Sequence, residues 1–300
     1  MTAPHIGPEA ERALDWIALT DALAAGHTLP RATVGDTFLY RRDDTMLSRA
    51  AWIDGLGALV KTAMIFPGNV AAGKPAVGGG VSIFSDQDGT LAATMDFRLL
   101  TKWKTAGDSL LGARRLARPD SRRILLVGSG TVALSLRQAY AAAFPEASFT
   151  VWSRNPDNAR AFAEAHDASP APDLEAAVAE ADIVACATMT TEPVLCGAWL
   201  RPGQHVDLIG AYRPDMREVD DDALRRARIF VDSRETTLDH IGELKIPLAE
   251  GVIDRDAVLA DYYDGDAMRR GSDAEITMFK NGGGAHLDLM TARYIMDAVG

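Results

Sequence analysis

Residues 123–154 read RILLVGSGTVALSLRQAYAAAFPEASFTVWSR and constrain the fold more than any other stretch. The segment opens on Ile124-Leu125-Leu126-Val127, too short for a stand-alone helix and branched enough for a strand buried on both faces. Gly128, Gly130 and Ala133 follow with G-x-G-x-x-A spacing. The first glycine permits a tight turn, the second admits a pyrophosphate to the backbone, and the small third residue lets helix pack on strand. The Ala- and Leu-rich run 133–144 predicts a helix whose amino end aims N–H groups at phosphates, and 149–152 supplies a second strand. A complete β-α-β unit around the glycines reads as a dinucleotide site.

The end of the second strand bears on which dinucleotide. A ribose 2′-hydroxyl calls for Asp or Glu there, whereas a 2′-phosphate calls for a cation. This chain has Ser153-Arg154, a hydroxyl and a guanidinium fork, so NADP(H) is expected over NAD(H), with NAD(H) still possible.

With 300 residues, 47% of them hydrophobic, the chain has ample material for one large or two modest cores. A formal net charge of −11 argues against nucleic acid and anionic membranes as partners. No apolar run is long enough to span a bilayer, and MTAPHIGPEAERALDW has neither the basic start nor the apolar core of a secretory leader, so a cytoplasmic protein is expected. Cys186 and Cys196 lack metal or redox spacing and read as packing residues. The six histidines are scattered, with no H-E-x-x-H, and no metal is expected.

Taken in order, residues 12–25 carry helical periodicity. Short alternating segments then run at 37–40, 45–48, 56–65, 80–84 and 91–95, separated by turn signals, and predict an antiparallel sheet. Residues 99–116 turn helical and lead through Arg118-Pro119-Asp120-Ser121, a polar hinge, into the nucleotide-binding strand. Beyond Asn155-Pro156, an N-cap with Pro at N1, helices at about 156–166, 173–181 and 220–228 alternate with strands at 182–187, 204–211 and 229–232. That alternation predicts a Rossmann-type doubly wound parallel sheet, with the loops after its strands, among them 188–191 and 210–214, facing the cofactor. An acidic segment, 254–266, reads as mobile. A strand at 275–280 then enters a Gly282-Gly283-Gly284 turn and a final helix, 285–299.

Several separated blocks stay collinear with one family: Pro30-Arg31; Val60-Lys61 with Phe66-Pro67-Gly68-Asn69; Leu100-Thr101 with Lys104-Thr105-Ala106; the Gly128 turn; and 277–282 leading to Asp288. Over essentially its whole length the chain resembles the ornithine cyclodeaminase/mu-crystallin family. The resemblance implies a dinucleotide-binding Rossmann domain (120–284) inserted into a mixed, mainly antiparallel β domain for substrate binding and dimerisation (1–119 with 285–300), and a homodimer. It implies that Arg31, Lys61 and Lys104 hold the carboxylate of a small imino or amino acid, with Gly282 beside it. Lys104, Thr105, Thr131, Val132, Ser153, Thr188, Ile209 and Asn281 join Gly128, Gly130 and Arg154 on the cofactor side.

Three departures from the family pattern carry information. Tyr212 stands where the cyclodeaminases have an Asp as proton acceptor, and a phenol, with an ordinary pKa of about 10, is no substitute for a carboxylate base at neutral pH. Lys104 replaces a bidentate Arg by a point charge, and Ala76 replaces a cofactor-touching Thr. The expected activity is therefore NADPH-dependent reduction of a small carboxylated, preferably cyclic, imine such as Δ1-pyrroline-2-carboxylate. Lys61, lowered in pKa by burial and a neighbouring cation, is the expected proton donor and Tyr212 the second candidate. An ornithine cyclodeaminase, an amino-acid dehydrogenase and a non-catalytic NADPH-binding crystallin are the alternatives.

Overall fold

The computed structural model describes residues 3–300, apart from the Val70 side chain; Met1 and Thr2 lie outside the described residues. In chain order the elements are β1 (His5–Ile6), α1 (Trp16–Gly26), β2 (Thr33–Arg41), β3 (Asp44–Ile53), β4 (Gly57–Ile65), β5 (Val77–Phe84), β6 (Leu91–Asp96) and α2 (Phe97–Leu116). Then follow β7 (Arg123–Val127), α3 (Thr131–Ala143), β8 (Ser148–Trp152), α4 (Pro156–His166), β9 (Ser169–Pro170), α5 (Leu174–Glu180), β10 (Ile183–Cys186) and β11 (His205–Leu208). The chain closes with α6 (Asp221–Arg226), β12 (Arg228–Val231), α7 (Arg234–Thr237), α8 (Gly242–Ala249), β13 (Val258–Ala260), β14 (Thr277–Lys280) and α9 (Ala285–Val299). It divides into two compact units, Met1–Lys104 with Gly283–Gly300, and Thr105–Gly282. The crossings fall inside α2 and inside the glycine turn, where the sequence had pointed to the hinge near 119 and to residue 284.

The first unit is built on a six-stranded sheet of order β1-β6-β5-β4-β3-β2. It is antiparallel throughout except where β1 runs parallel to β6. Alternation sets the buried face: Ile53, Leu59, Ile83 and Met95 are inside, and α9 packs on β3 and β4 with α1 beside it. Lys61 lies on that same buried face, two residues after Leu59. α1 starts at Trp16 rather than near residue 12, because Asp15 accepts from the Ala18 N–H as its N-cap and a short 3-10 turn precedes it.

The second unit is an eight-stranded sheet of order β13-β12-β14-β11-β10-β7-β8-β9, parallel at every pairing. The order in which strands are added reverses between β7 and β10, with β8 and β9 on one side and β10 onward on the other, and open α/β sheets hold ligands beside such a switch point. β11 stops at Leu208, short of the expected 211, because the Gly210 and Ala211 N–H groups donate to the Glu218 carboxylate instead of to a strand. The acidic segment differs from its sequence reading. Val258–Ala260 adds a strand beside β12, and Asp254 and Asp261 spend their carboxylates capping short turns.

Candidate active site

In the second unit a candidate nucleotide site is assembled at the carboxyl ends of β7, β10 and β11. Gly128 leaves β7 with φ +113°, and a Cβ there would stand 2.8 Å from the Ala187 carbonyl, so only glycine fits. Gly130 is the N-cap of α3 and makes no side-chain cap, so the amino-terminal turn of that 13-residue helix faces outward with its dipole uncompensated by the chain. Thr131 and Val132 are exposed on that turn and Ala133 is fully buried beneath it. At the end of β8, Ser153 is half-buried and Arg154 exposed. This cradle fits a dinucleotide's pyrophosphate.

Thr188 and Gly210 are tied together by a residue that sequence reasoning missed. Glu218, fully buried, accepts from the Thr188 N–H and hydroxyl, both at 2.7 Å, and from the Gly210 and Ala211 N–H groups at 2.7 and 3.3 Å. Its backbone N–H in turn donates to Glu243, also buried. Burial and the Glu243 charge push Glu218 up to about 8 against the pull of Lys280. The Thr188 hydroxyl is thereby tied to Glu218, which fixes the orientation of the loop after β10.

In the first unit the basic side chains converge. Lys61 Nζ donates to Asp288 Oδ1 at 2.8 Å and lies 5.0 Å from the centre of the Phe97 ring. Burial, opposed by Asp288 and reinforced by Lys104 and Arg49, lowers Lys61 to about 8. For Asp288 burial works upward, but Lys61, Lys104 and Arg49 outweigh it and hold the carboxyl below its ordinary range. Lys104, only 7% exposed, donates to the Gly283 carbonyl at 3.2 Å and has no carboxylate partner among the described residues. His286, buried in the first turn of α9, reports the whole cluster: burial and then Lys104, Arg49 and Arg31, against Asp288 alone, lower it to about 3. Arg31 is exposed in the loop after α1 and shares this field.

The sequence model of the ornithine cyclodeaminase/mu-crystallin family matches residues 50–300. The chain belongs to this family. It is 54% identical over 291 residues to a Δ1-pyrroline-2-carboxylate reductase of Paracoccus denitrificans, covering 94% of this chain and 92% of the relative. It is 32% identical to mouse ketimine reductase mu-crystallin, over 79% and 75% of the two chains. Among solved structures, the Thermococcus litoralis Δ1-pyrroline-2-carboxylate reductase in complex with NADH and L-proline superposes with a TM-score of 0.89 at 25% identity, covering 99% and 97% of the two chains.

As a member of the ornithine cyclodeaminase/mu-crystallin family, the chain distributes its expected site residues over both units. Arg31, Lys61 and Lys104 fall in the first unit and act on one another or on His286. Gly128, Gly130, Thr131, Val132, Ser153, Arg154, Thr188 and Ile209 line the carboxyl edge of the parallel sheet in the second. Ile209 donates its N–H to the Cys186 carbonyl and is buried. Asn281, 5% exposed, bonds through its amide to the Thr105 carbonyl at 3.3 Å, which joins two expected cofactor residues. Gly282 is hemmed in: a Cβ would stand 2.5 Å from Thr237 Oγ1 and 2.9 Å from Asp232 Oδ1. Tyr212 belongs to the second unit, 58% exposed in the loop beyond β11, whereas Lys61 belongs to the first. Asp288, Arg49, His286 and Glu218 were not assigned from sequence; a lysine inside the apolar run 56–65 was the one signal that an acidic partner had to exist.

Proposed function

We propose that the protein is an NAD(P)H-dependent reductase of a small carboxylated cyclic imine of the Δ1-pyrroline-2-carboxylate kind. The observation that carries this reading is the buried Lys104 ammonium, hydrogen-bonded only to a carbonyl and sharing the one carboxylate Asp288 with Lys61 and Arg49. Three cations around one carboxylate leave a surplus of positive charge that is costly to bury, and an anionic substrate group offsets it. The 54% identity to a reductase of that name over nearly both full lengths supports the same substrate class.

In this reading Arg31, Lys61 and Lys104 hold the carboxylate, with Gly282 beside the ring, and fix where the C=N carbon lies. Thr105, Gly128, Gly130, Thr131, Val132, Ser153, Arg154, Thr188, Ile209, Asn281 and Lys104 would hold the nicotinamide cofactor, which when bound and reduced would supply the hydride. Lys61 delivers the proton from Nζ to the imine nitrogen; its pKa of about 8 leaves it protonated at neutral pH yet acidic enough to give the proton up. Tyr212 is the second donor candidate. The first unit acts as substrate and dimerisation domain and the second as cofactor domain. A homodimer is supported by edge strand β2, where Val34, Phe38, Leu39 and Tyr40 are 39–74% exposed. A cytoplasmic protein is supported by two free cysteines, Cys186 and Cys196.

NADP(H) is the preferred cofactor in this reading, because the exposed Arg154 follows β8 without a carboxylate at position 153. The test follows cofactor absorbance with five- and six-membered cyclic imino acids, pyruvate plus ammonia, and ornithine in parallel. Turnover of the imino acids with NADPH is expected. Ammonia release from ornithine would replace the reading by a cyclodeaminase, exclusive use of pyruvate plus ammonia by a dehydrogenase, and tight binding without oxidation by a binding protein. Arg154→Ala is expected to raise the KM for NADPH about tenfold and leave that for NADH unchanged; a preference for NADH that survives the substitution removes the NADP assignment.

A further inference from the structure

Across the first sheet, three charged residues on adjacent strands form one row. Asp36 of β2 pairs in register with Arg49 of β3, and Arg49 with Lys61 of β4. The Arg49 guanidinium forks onto Asp36, Nη2 to Oδ2 at 2.8 Å and Nε to Oδ1 at 3.3 Å. Its Nη1 donates to the Gly283 carbonyl at 2.8 Å, the oxygen that Lys104 Nζ also approaches at 3.2 Å. Like charges directly opposite on neighbouring strands destabilise a sheet. Arg49 against Lys61 is such a pair, held in place by two separate carboxylates, Asp36 on Arg49 and Asp288 on Lys61.

We propose that Arg49 is a positioning residue of the substrate site, holding the Gly283 carbonyl beside Lys104 and acting on Lys61 across the β3–β4 pair. The proposal rests on the imine-reductase reading and deepens it. Gly283 adjoins Gly282, so a carbonyl fixed by two cations fixes the turn that lies next to the imine. Asp36 holds the guanidinium in plane, which keeps its charge beside Lys61 without placing it on the substrate. The groups facing Lys61 are Arg49 from β3, Lys104 and the Phe97 ring from α2, and Asp288 with the neighbouring His286 from α9, while β5 sets the apolar Val81 opposite. Of these, Arg49 and Lys104 favour loss of the Lys61 proton and Asp288 opposes it.

The test compares Arg49→Met and Arg49→Lys with the wild-type protein in two measurements. The first is the pH profile of kcat/KM for Δ1-pyrroline-2-carboxylate. The second is the titration of Lys61 in protein labelled with 13C at the lysine Cε, its resonance assigned by its loss in Lys61→Met. Removing a positive neighbour raises a lysine pKa, so Arg49→Met is expected to move the alkaline limb and the Lys61 midpoint upward by about half a unit to one unit. It is also expected to lower kcat/KM at least about tenfold at unchanged cofactor affinity. Arg49→Lys keeps the charge and loses the fork, so its midpoint stays put while kcat/KM falls several-fold. An unmoved Lys61 midpoint in Arg49→Met, or full activity in Arg49→Lys, overturns the proposal. Unchanged NADPH binding certifies the fold, and should Arg49→Met fail to fold, Arg49→Lys decides. The NMR titration reads Arg49 on Lys61 even where the imine is not turned over, which separates failure of this proposal from failure of the reductase reading.

Discussion

Two buried lysines, one in each unit, make the same local contact in opposite surroundings. Lys104 donates to the Gly283 carbonyl, and Lys280, fully buried, donates to the Leu208 carbonyl at 2.8 Å. Around Lys280 the charged neighbours are carboxylates: Glu218, Glu243 and Asp207 all feel its charge. Around Lys104 they are mostly cations, and the one carboxylate, Asp288, hydrogen-bonds Lys61 and is shared with Lys104 and Arg49. A buried cation enclosed by anions has its counter-charge within the fold. One enclosed mostly by cations has less counter-charge than it needs, and burial alone does not separate the two cases.

The largest effect is expected on the structural side. Lys280→Met leaves Glu218, Glu243 and Asp207 buried without their shared cation, and is expected to cost about 3–5 kcal/mol of stability. Denaturant unfolding measures it, and a loss below about 1 kcal/mol would place Lys280 and Lys104 in the same class. Lys104→Met is the converse. It removes one of three cations that share a single carboxylate, and Gly283 keeps Arg49 as a donor, so the midpoint of thermal unfolding is expected to stay or rise. Activity moves the other way: kcat/KM for the carboxylated imine is expected to fall about 100-fold, chiefly through KM. A destabilised variant with unchanged KM would reverse the comparison.

The two regions also differ in how far the sequence disclosed them. The cofactor cradle was legible because its chemistry is local: Gly128, Gly130 and Ala133 lie within six residues, and the strand and helix around them carry their own periodicity. The parallel sheet followed from alternation for the same reason. The cation cluster was legible only in part. Arg31, Lys61 and Lys104 came through family resemblance, and no spacing along the chain brings them together. Asp288 lies 227 residues from Lys61, and no local pattern announces that pair. Arg49 was within reach: a hairpin that pairs Ile53 with Gly57 pairs residue 49 with 61 by counting back from the turn. The alternation of the sequence reads only as far as Ser48, one residue short of Arg49. Glu218 sits between elements, in a connection whose order comes from its hydrogen bonds to two other loops, and periodicity says nothing about such residues.

The smallest expected effect tests whether the second unit's carboxylates are fully compensated. Asp207 accepts from the Tyr140 hydroxyl at 3.0 Å, and burial, against Ser109, Tyr140 and Lys280, raises its pKa from 3.8 to about 6. The folded protein then binds more protons at this site than the unfolded chain between those two values. Stability contributed by Asp207 is therefore present below pH 3.8 and is lost as pH rises toward 6. Asp207→Asn keeps a carbonyl for Tyr140 and removes the titration, so it is expected to gain steadily on the wild type as pH rises across that window. His205 and His286, both lowered to about 3, make either protein lose stability as pH falls below 6.5, so the diagnostic quantity is the difference between the two unfolding curves. A difference that stays flat with pH would mean that Lys280 and the two hydroxyls already neutralise Asp207. The second unit would then be balanced to the last charge, and the surplus around Lys104 would stand out more sharply.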